Sequence, residues 1–285
     1  MPPFPRMTIP FRGGSIARRH RDAILWFVWF FAAVASVPVI ADPPARHPLE
    51  PTLELARRGH ARIAAEIQDY TCLLLKRERI GGKLNGPEVI FAKVRHEQDG
   101  PDADASPFSV YMKFLKPSTV RGREILFAKE QEDSELLVRK GGRRLAFLTA
   151  SLPPQSPLAM QGNLYPITEF GIKRLIERMI ELGEKELAHR ECEVTIDHGI
   201  QVDQYRCTRI EVKHPVPRDW FEYHVARIYI DDDLGVPVQF ESFDWPESRG
   251  DPPVLKEQYA YRNLKLNVGL TDDDFDPSYS EYGFQ

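Results

Sequence analysis

Hydrophobic and polar residues alternate along much of the chain, and the clearest alternation lies between residues 204 and 245. Three segments rich in β-branched and aromatic residues follow one another there: Gln204–Lys213, Glu222–Asp231 and Val236–Trp245. Asp233-Leu234-Gly235 separates the last two, and such a sequence is typical of a hairpin turn. The pattern therefore predicts an antiparallel meander.

The same alternation begins earlier, at residue 70. We predict strands at Tyr70–Ile80, Glu88–Gln98, residues 108–114, Arg123–Lys129, Glu135–Lys140 and Arg143–Leu148, and further strands around Cys192 and at Val254–Val268. The total is about eleven strands. Because no helix separates the first six, the order of elements excludes a parallel sheet of the Rossmann type.

Two segments have the period of an amphipathic helix. The first starts at Pro51 and ends near Asp69, and the second is Thr168–Leu187. The proline-containing segment Thr149–Pro166 precedes the second helix and is too apolar for a disordered connection, so we expect that it packs on the sheet. Thr271-Asp272-Asp273-Asp274 resembles a capping box before a short helical turn. The chain is predicted to form one α+β, mainly antiparallel domain over residues 51–285.

Residues 1–41 have the composition of an export segment. Several arginines precede the uncharged segment Ala23–Ala41, and Val39 and Ala41 suit the −3 and −1 positions of a signal-peptidase site. Cleavage there would leave a proline-rich linker, residues 42–50. The alternative is an uncleaved membrane anchor, because the apolar segment just reaches spanning length. Both alternatives place the domain in the periplasm or cell envelope, and the second attaches it to the inner membrane.

The chain contains three cysteines, Cys72, Cys192 and Cys207. In an oxidising compartment Cys192 and Cys207 could form a disulfide, if a turn centred between Gly199 and Ile200 placed them opposite each other. Their Cα atoms would then lie about 4.4–6.8 Å apart. Two buried thiols are the alternative. We expect Cys72 to be buried in the first strand.

The sequence contains no signature of a metal site, a cofactor or a nucleic-acid interface. The formal net charge is −4, and no basic stripe alternates with aromatic residues as nucleic-acid binding would require. The eight histidines lack metal-ligand spacing, and a nucleophile elbow, phosphate loop and dinucleotide fingerprint are all absent. Asp272, Asp274 and Asp276 begin a calcium-loop pattern, but Pro277 stands where glycine is required. We therefore expect no metal, no cofactor and no nucleic-acid partner.

Carboxylates on neighbouring predicted strands could supply an acid and a base for hydrolysis. The candidates are Glu211, Glu222, Glu241 and Asp244. Any antiparallel sheet with one solvated face offers such pairs, so solvated carboxylates are the simpler interpretation.

The strand at residues 108–114 places large apolar side chains on one face. With the following apolar loop and nearby aromatic residues, this face offers more apolar surface than two helices are expected to cover. We nominate as ligand-binding residues Phe108, Val110, Met112, Phe114, Leu152, Leu158, Met160, Leu164, Tyr165 and Trp245. The alternative is that the loop fills the sheet with its own side chains.

Several short motifs stand out along the chain. They are Pro107–Pro117 (PFSVYMKFLKP), Gly122-Arg123-Glu124, Tyr165–Ile172 (YPITEFGI), Arg227–Asp231 (RIYID), Phe243–Pro246 (FDWP) and Asn263–Asp276 (NLKLNVGLTDDDFD). Together they resemble an exported bacterial family designated domain of unknown function 1571. The order of elements is also similar to that of LolA-like periplasmic lipoprotein carriers. This resemblance implies a curved half-barrel that wraps two helices and the apolar loop, and it assigns no catalytic or binding residues.

The leading hypothesis is a non-enzymatic periplasmic carrier or sensor that holds a lipid, an acyl chain or a lipoprotein segment inside the half-barrel. The alternative is an interaction module of the cell envelope, with a self-filled interior and a protein partner. A hydrolase is a further alternative. A continuous apolar cavity beneath residues 152–165 would distinguish the first hypothesis from the second.

Overall fold

The computed structural model describes residues 46–98, 106–141 and 148–284. The predicted export segment, residues 1–41, and linker residues 42–45 lie outside this described part. Among the described residues, no helix is long and apolar enough to cross a membrane. All of the described residues belong to one compact unit.

Strands are the commonest regular element of the described chain. They are β1 (Asp69–Ile80), β2 (Lys83–Leu84), β3 (Glu88–Arg95), β4 (Ser109–Lys116), β5 (Glu124–Ala128), β6 (Leu136–Arg139), β7 (Thr149–Leu152), β8 (Glu193–Val202), β9 (Tyr205–Lys213), β10 (Val225–Asp231), β11 (Pro237–Asp244) and β12 (Val254–Leu266). Within the described residues they form one open sheet of twelve strands in the order β7-β6-β5-β4-β3-β1-β12-β11-β10-β9-β8, and β2 pairs with the end of β1.

The first and last long strands of the sheet meet at its centre. β1 pairs antiparallel with β12, which places Tyr70 opposite Leu266 and Glu78 opposite Glu257. Two meanders, β1 to β7 and β8 to β12, are therefore joined along this central pair. Side chains that are far apart in sequence become direct neighbours there.

The predicted α+β, mainly antiparallel architecture is confirmed. The additional strand is β2, which follows Gly81-Gly82 with φ values of 57° and 81°. Positive φ at both central residues is what a two-residue type I′ hairpin requires. The predicted strand Arg143–Leu148 falls mostly outside the described residues, and Thr149–Leu152, expected to be loop, pairs with β6 as β7.

Two helices lie close to their predicted positions. α1 spans Glu50–Glu66, with Pro51 in its first turn where the missing N–H has no helical partner. α2 spans Ile172–Glu186. The predicted start at residue 168 is wrong, because Gly171 has a φ of 114° and separates a short 3-10 turn, Ile167–Glu169, from α2.

The helices and residues 153–171 pack on one face of the sheet, here named the inner face. The alternation of β4 sends Val110, Met112 and Phe114 to this face, together with Phe108 just before the strand. The buried core that they share with other elements includes Ile63, Ile67, Tyr70, Leu74, Ile90, Val94, Ile172 and Ile176. The inner face therefore holds the main hydrophobic core.

The outer face of β4 and β5 is covered by the C-terminal segment, residues 270–284. Phe275, Tyr282 and Phe284 pack against Tyr111 and Leu126, and all five side chains are buried. The predicted capping box is confirmed, since Thr271 and Asp274 exchange both of its hydrogen bonds at the start of a 3-10 turn, Asp272–Phe275. Both faces of this half of the sheet are thus packed.

The predicted disulfide is wrong, and Cys192 and Cys207 are free thiols. Cys207 lies opposite Ile200, whereas Cys192 precedes β8 beyond the pair formed by Glu193 and Lys213. At about 3.3 Å per residue the two cysteines lie roughly 20 Å apart, far beyond disulfide range.

The hairpin turn is the reason for this error. It lies at Asp203-Gln204, not between Gly199 and Ile200, and the pairing shifts between Asp197 and Ile200. Gly199 has a φ of 71° within this irregularity. Cys72 is buried in β1 as predicted, and burial raises its pKa to about 12.

Candidate functional site

Two cavities lie between the inner face and the elements that cover it. The first cavity has a volume of about 120 Å³ and lies beneath residues 154–171 and the first two turns of α2. Its sheet side is formed by β1, β3, β4, β5, β6, β11 and β12, through residues such as Leu74, Ile90, Met112, Phe114 and Tyr261. A space therefore lies beneath the apolar loop, and its lining is partly polar.

The structure brings only some of the nominated ligand-binding residues to this cavity. Met112, Phe114 and Tyr165 line it. Phe108 and Val110 are buried in the adjoining core, and Leu152 packs against that core.

The other nominated residues lie elsewhere. Leu158 is 61% exposed, and Met160 and Leu164 are half-buried outside the lining. Trp245 lies against the ring of His224, with 5.6 Å between ring centroids. A binding role for these four residues stays untested.

A buried ion pair forms part of the lining of the first cavity. Glu78 of β1 is only 3% exposed, and its Oε2 lies 3.1 Å from Nζ of Lys76. The hydroxyl of Tyr259 donates to Glu78 Oε1 at 2.5 Å, and the Leu164 N–H donates to Oε2 at 3.2 Å. The side chain of Glu78 thus accepts hydrogen bonds from several donors, and it holds the end of the loop onto the sheet.

Glu257 is the second carboxyl group in this cavity. It is 4% exposed and lies directly opposite Glu78 in the β1–β12 pairing. Ser242 donates to its Oε1 at 2.7 Å, whereas Oε2 has no hydrogen-bond partner among the described residues. Burial raises the pKa of Glu257, while Ser242 and the nearby hydroxyl of Tyr165 act in the opposite direction. Two residues that line the cavity therefore have a buried polar atom without a partner among the described residues, Glu257 at Oε2 and Arg174 at Nε.

Arg178 of α2 ties the loop to the helix. Its guanidinium lies 3.8 Å from the centroid of the Tyr165 ring and 3.1 Å from Glu222. Such a stacked, ion-paired arginine fixes the position of the ring that it covers. The nominated residue Tyr165 is held over the first cavity by this contact.

The second cavity is larger and lies beneath both helices, over β9, β10 and β11. Its volume is about 360 Å³. The lining is mainly aliphatic and includes Leu53, Ala56, Ile176, Met179, Ile210, Val212, Ala226, Ile228 and Ile230. Phe240 lines both cavities and forms the wall between them.

The carboxyl group in the second cavity already has protein partners. Glu186 Oε2 lies 3.1 Å from Nε2 of the fully buried His214 and 3.5 Å from the hydroxyl of Tyr223. The other ring nitrogen of His214 donates to the carbonyl of Tyr223 at 2.9 Å. Because the rest of the lining is mainly aliphatic, the second cavity is suited to apolar groups.

The second cavity is not predictable from the hydrophobic pattern, although its lining residues belong to that pattern. Leu53 and Ala56 recur at helical spacing, and Ile210, Val212, Ala226 and Ile228 alternate on predicted strands. Pattern alone assigns such residues to a filled core. Whether helices and sheet leave a space between them depends on how closely the elements approach.

The carboxylates considered for hydrolysis do not form an acid–base pair. Glu211 is paired with Arg227 at 2.6 Å, and Glu241 accepts hydrogen bonds from Gln239 and Gln258. Glu222 is paired with Arg178, and Asp244 ends β11. Among the described residues, no three or more His, Cys, Asp or Glu side chains are arranged to hold a metal ion.

Solved structures of similar proteins show low sequence identity to this chain. A DUF1329 family protein from Desulfovibrio piger is 15% identical, over 81% of this chain and 98% of that one, with a TM-score of 0.39. The lipoprotein LppX from Mycobacterium tuberculosis is 11% identical over 80% and 100%, with a TM-score of 0.40. A LolA superfamily protein from Nitrosomonas europaea is 11% identical over 80% and 98%, with a TM-score of 0.32.

Among curated proteins none matches this chain. A family model does match, and it covers the whole region from the end of α1 to the C-terminal segment. Its description is "Protein of unknown function (DUF1571)", and the matched residues are 67–284. The chain therefore belongs to the DUF1571 family, as its motifs predicted.

Proposed function

We propose that this protein is a non-enzymatic carrier or sensor of the cell envelope that binds an acyl chain, as part of a lipid or a lipoprotein, on the inner face of its sheet. The observation that supports this proposal is the second cavity. Its volume of 360 Å³ lies within the range of about 300–1,000 Å³ that is usual for small-molecule sites. An interior filled by its own side chains would leave only voids of about the size of a water molecule.

The composition of the lining supports an apolar ligand. Aliphatic side chains from α1, α2 and three strands surround the space, and its one carboxylate, Glu186, lies against His214 through Oε2. Apolar cavities of about 150 Å³ already bind molecules of the size of benzene. A space of this larger size accommodates several methylene groups of an acyl chain.

The export-like composition of residues 1–41 supports a location in the envelope, where lipids and lipoproteins are available. An inner-membrane anchor, if the segment is uncleaved, would keep the domain near its ligand. The rival function is protein docking by a domain with a self-filled interior. The two functions differ in whether the second cavity is occupied by ligand.

Binding of a fluorescent acyl-chain probe tests the proposal. We expect saturable binding to the wild-type domain and a loss of at least about tenfold in affinity for Ile228→Trp, because the indole fills the second cavity. Val216→Trp adds the same ring at an exposed position that lines neither cavity, and it should bind as the wild type does. Absence of binding, or equal binding by Ile228→Trp, would favour the docking function.

A further inference from the structure

Glu257 is the feature of the inner face that the proposed function leaves unexplained. A buried carboxyl group normally finds partners for both oxygens, because an unpaired buried polar atom costs about 1–3 kcal/mol. Here Oε1 accepts from Ser242 and Oε2 faces the first cavity without a partner among the described residues. By contrast, Oε2 of Glu186 in the second cavity has two protein partners, His214 and Tyr223.

The surroundings of Glu257 favour its neutral form. Glu78 lies directly opposite, and its ion-pair partner Lys76 is shared between Glu78 at 3.1 Å and Glu88 at 4.0 Å. The cations that act on Glu257, Arg178 and Lys256, offset only part of the cost of burying its charge. A second carboxylate in this position would be repelled by Glu78. Burial also raises the pKa of Glu257.

The hydrogen bond from Ser242 occupies one of the two carboxyl oxygens. Oε1 accepts from the Ser242 hydroxyl at 2.7 Å, which leaves Oε2 as the oxygen available to carry the proton of the neutral acid. Oε2–H is then a donor in a cavity whose sheet side also includes the apolar side chains of Leu74, Ile90 and Met112. The complementary ligand group is a hydrogen-bond acceptor at the end of an apolar chain.

We propose that Glu257 is the polar contact of the ligand in the first cavity, where its Oε2–H donates a hydrogen bond to the carbonyl oxygen of an acyl ester or acyl amide. This inference rests on the proposed function and deepens it, since it names the chemical group that is recognised. The carbonyl end of the ligand lies in the first cavity, which shares the lining residue Phe240 with the second cavity.

Competition against the bound fluorescent probe tests this assignment with three ligands of equal chain length: methyl decanoate, decane and decylamine. We expect wild-type protein to prefer methyl decanoate over decane by about 2- to 12-fold, the effect of one net hydrogen bond. Glu257→Gln should keep this preference because its amide N–H also donates. Glu257→Met should abolish it, and Glu241→Met, on the outer face, should leave it unchanged.

The pH dependence of the preference for the ester gives a second readout. It does not require that the Glu257→Met variant folds. The preference of the wild type for the ester should decline as Glu257 ionises with rising pH, whereas that of Glu257→Gln should stay constant. The charged and titratable groups that face Glu257 are Glu78 and Lys76 of β1, Tyr165 of the loop, Arg178 of α2, and Lys256 and Tyr259 of its own strand.

The outcomes separate this inference from the proposed function. If decane and methyl decanoate compete equally well in wild type and in Glu257→Met, an apolar ligand binds and the role of Glu257 is wrong. If decylamine competes best and loses its advantage in Glu257→Gln, the ionised carboxylate binds a cation, which also overturns the inference. If no ligand displaces the probe, or the probe does not bind, the proposed function and this inference both fail.

Discussion

Glu257 shows how one residue links stability to binding. Its burial and the opposing Glu78 favour the protonated acid in the folded protein, whereas the unfolded chain exposes both groups to water. Because the pKa of Glu257 is raised above its ordinary value, the folded state binds the proton more tightly than the unfolded state does. This contribution to stability is fully present below the ordinary glutamate pKa and is lost as the pH rises through the raised value.

Glu257→Gln should therefore stabilise the unliganded protein, and the gain should grow as the pH rises from about 4 towards neutral. We expect a gain on the order of 1 kcal/mol near pH 7, because the amide cannot ionise in the buried site. Urea unfolding at several pH values measures it. A gain of the same size and pH dependence in Glu241→Gln would contradict the role of burial at residue 257.

At the scale of elements, the second cavity is set by the contact between the two helices. α1 and α2 approach closely at Gly183, where an added Cβ would lie 2.6 Å from Cδ2 of Leu53. Leu53 itself lines the second cavity. The absence of a side chain at residue 183 thus leaves Leu53 in place and the cavity open.

Gly183→Ala tests this relation. Alanine favours the helix by about 1 kcal/mol, but overpacking costs about 1–3 kcal/mol unless the neighbour can move. Because Leu53 can turn into the cavity, we expect a stability change below about 1 kcal/mol and a several-fold loss of probe affinity.

Gly59→Ala is the matched control for helix propensity, because its added Cβ meets nothing within 4 Å. It should stabilise by up to about 1 kcal/mol. If Gly183→Ala were as stabilising as Gly59→Ala and kept full probe affinity, Leu53 would not define the cavity.

At the scale of the whole molecule, the two faces of the sheet have different tasks. The inner face leaves two cavities beneath the helices and the loop, whereas the C-terminal segment covers the outer face of β4 and β5 without lining either cavity. Tyr282 stacks on Tyr111 with ring centroids 3.8 Å apart, and its hydroxyl donates to the carbonyl of Asp274 at 2.7 Å. Substitutions in the cluster on the outer face should therefore change the stability of the protein without changing ligand binding on the inner face.

Tyr282→Ala should lower the free energy of unfolding by about 3 kcal/mol, because a buried aromatic ring is removed from a packed cluster. Tyr282→Phe keeps the ring and loses one hydrogen bond, so it should cost about 1 kcal/mol. Both variants should bind the acyl-chain probe as the wild type does, at a temperature where they are folded. Weaker binding by Tyr282→Phe would show that the outer face takes part in ligand binding.

Local patterns predicted much of the fold because they depend on short periods. The two-residue period of β4 identified Val110, Met112 and Phe114 as inner residues, and the helical period located α1 and α2 to within a few residues. The pattern failed for Cys192 and Cys207, since a shift of register at Gly199 and a turn at Asp203 cannot be recognised from alternation. One irregular residue changes every later pairing in a hairpin.

The sequence by itself determined the antiparallel class, the two helices, the family and the apolar character of the inner face. Only the tertiary structure decided that Glu78 lies opposite Glu257 and that Phe240 separates two cavities. The reason is that both facts depend on the pairing of β1 with β12 and on the spacing between helices and sheet. Alternation states which side of a strand a residue occupies, whereas the neighbour that it meets depends on contacts between distant parts of the chain.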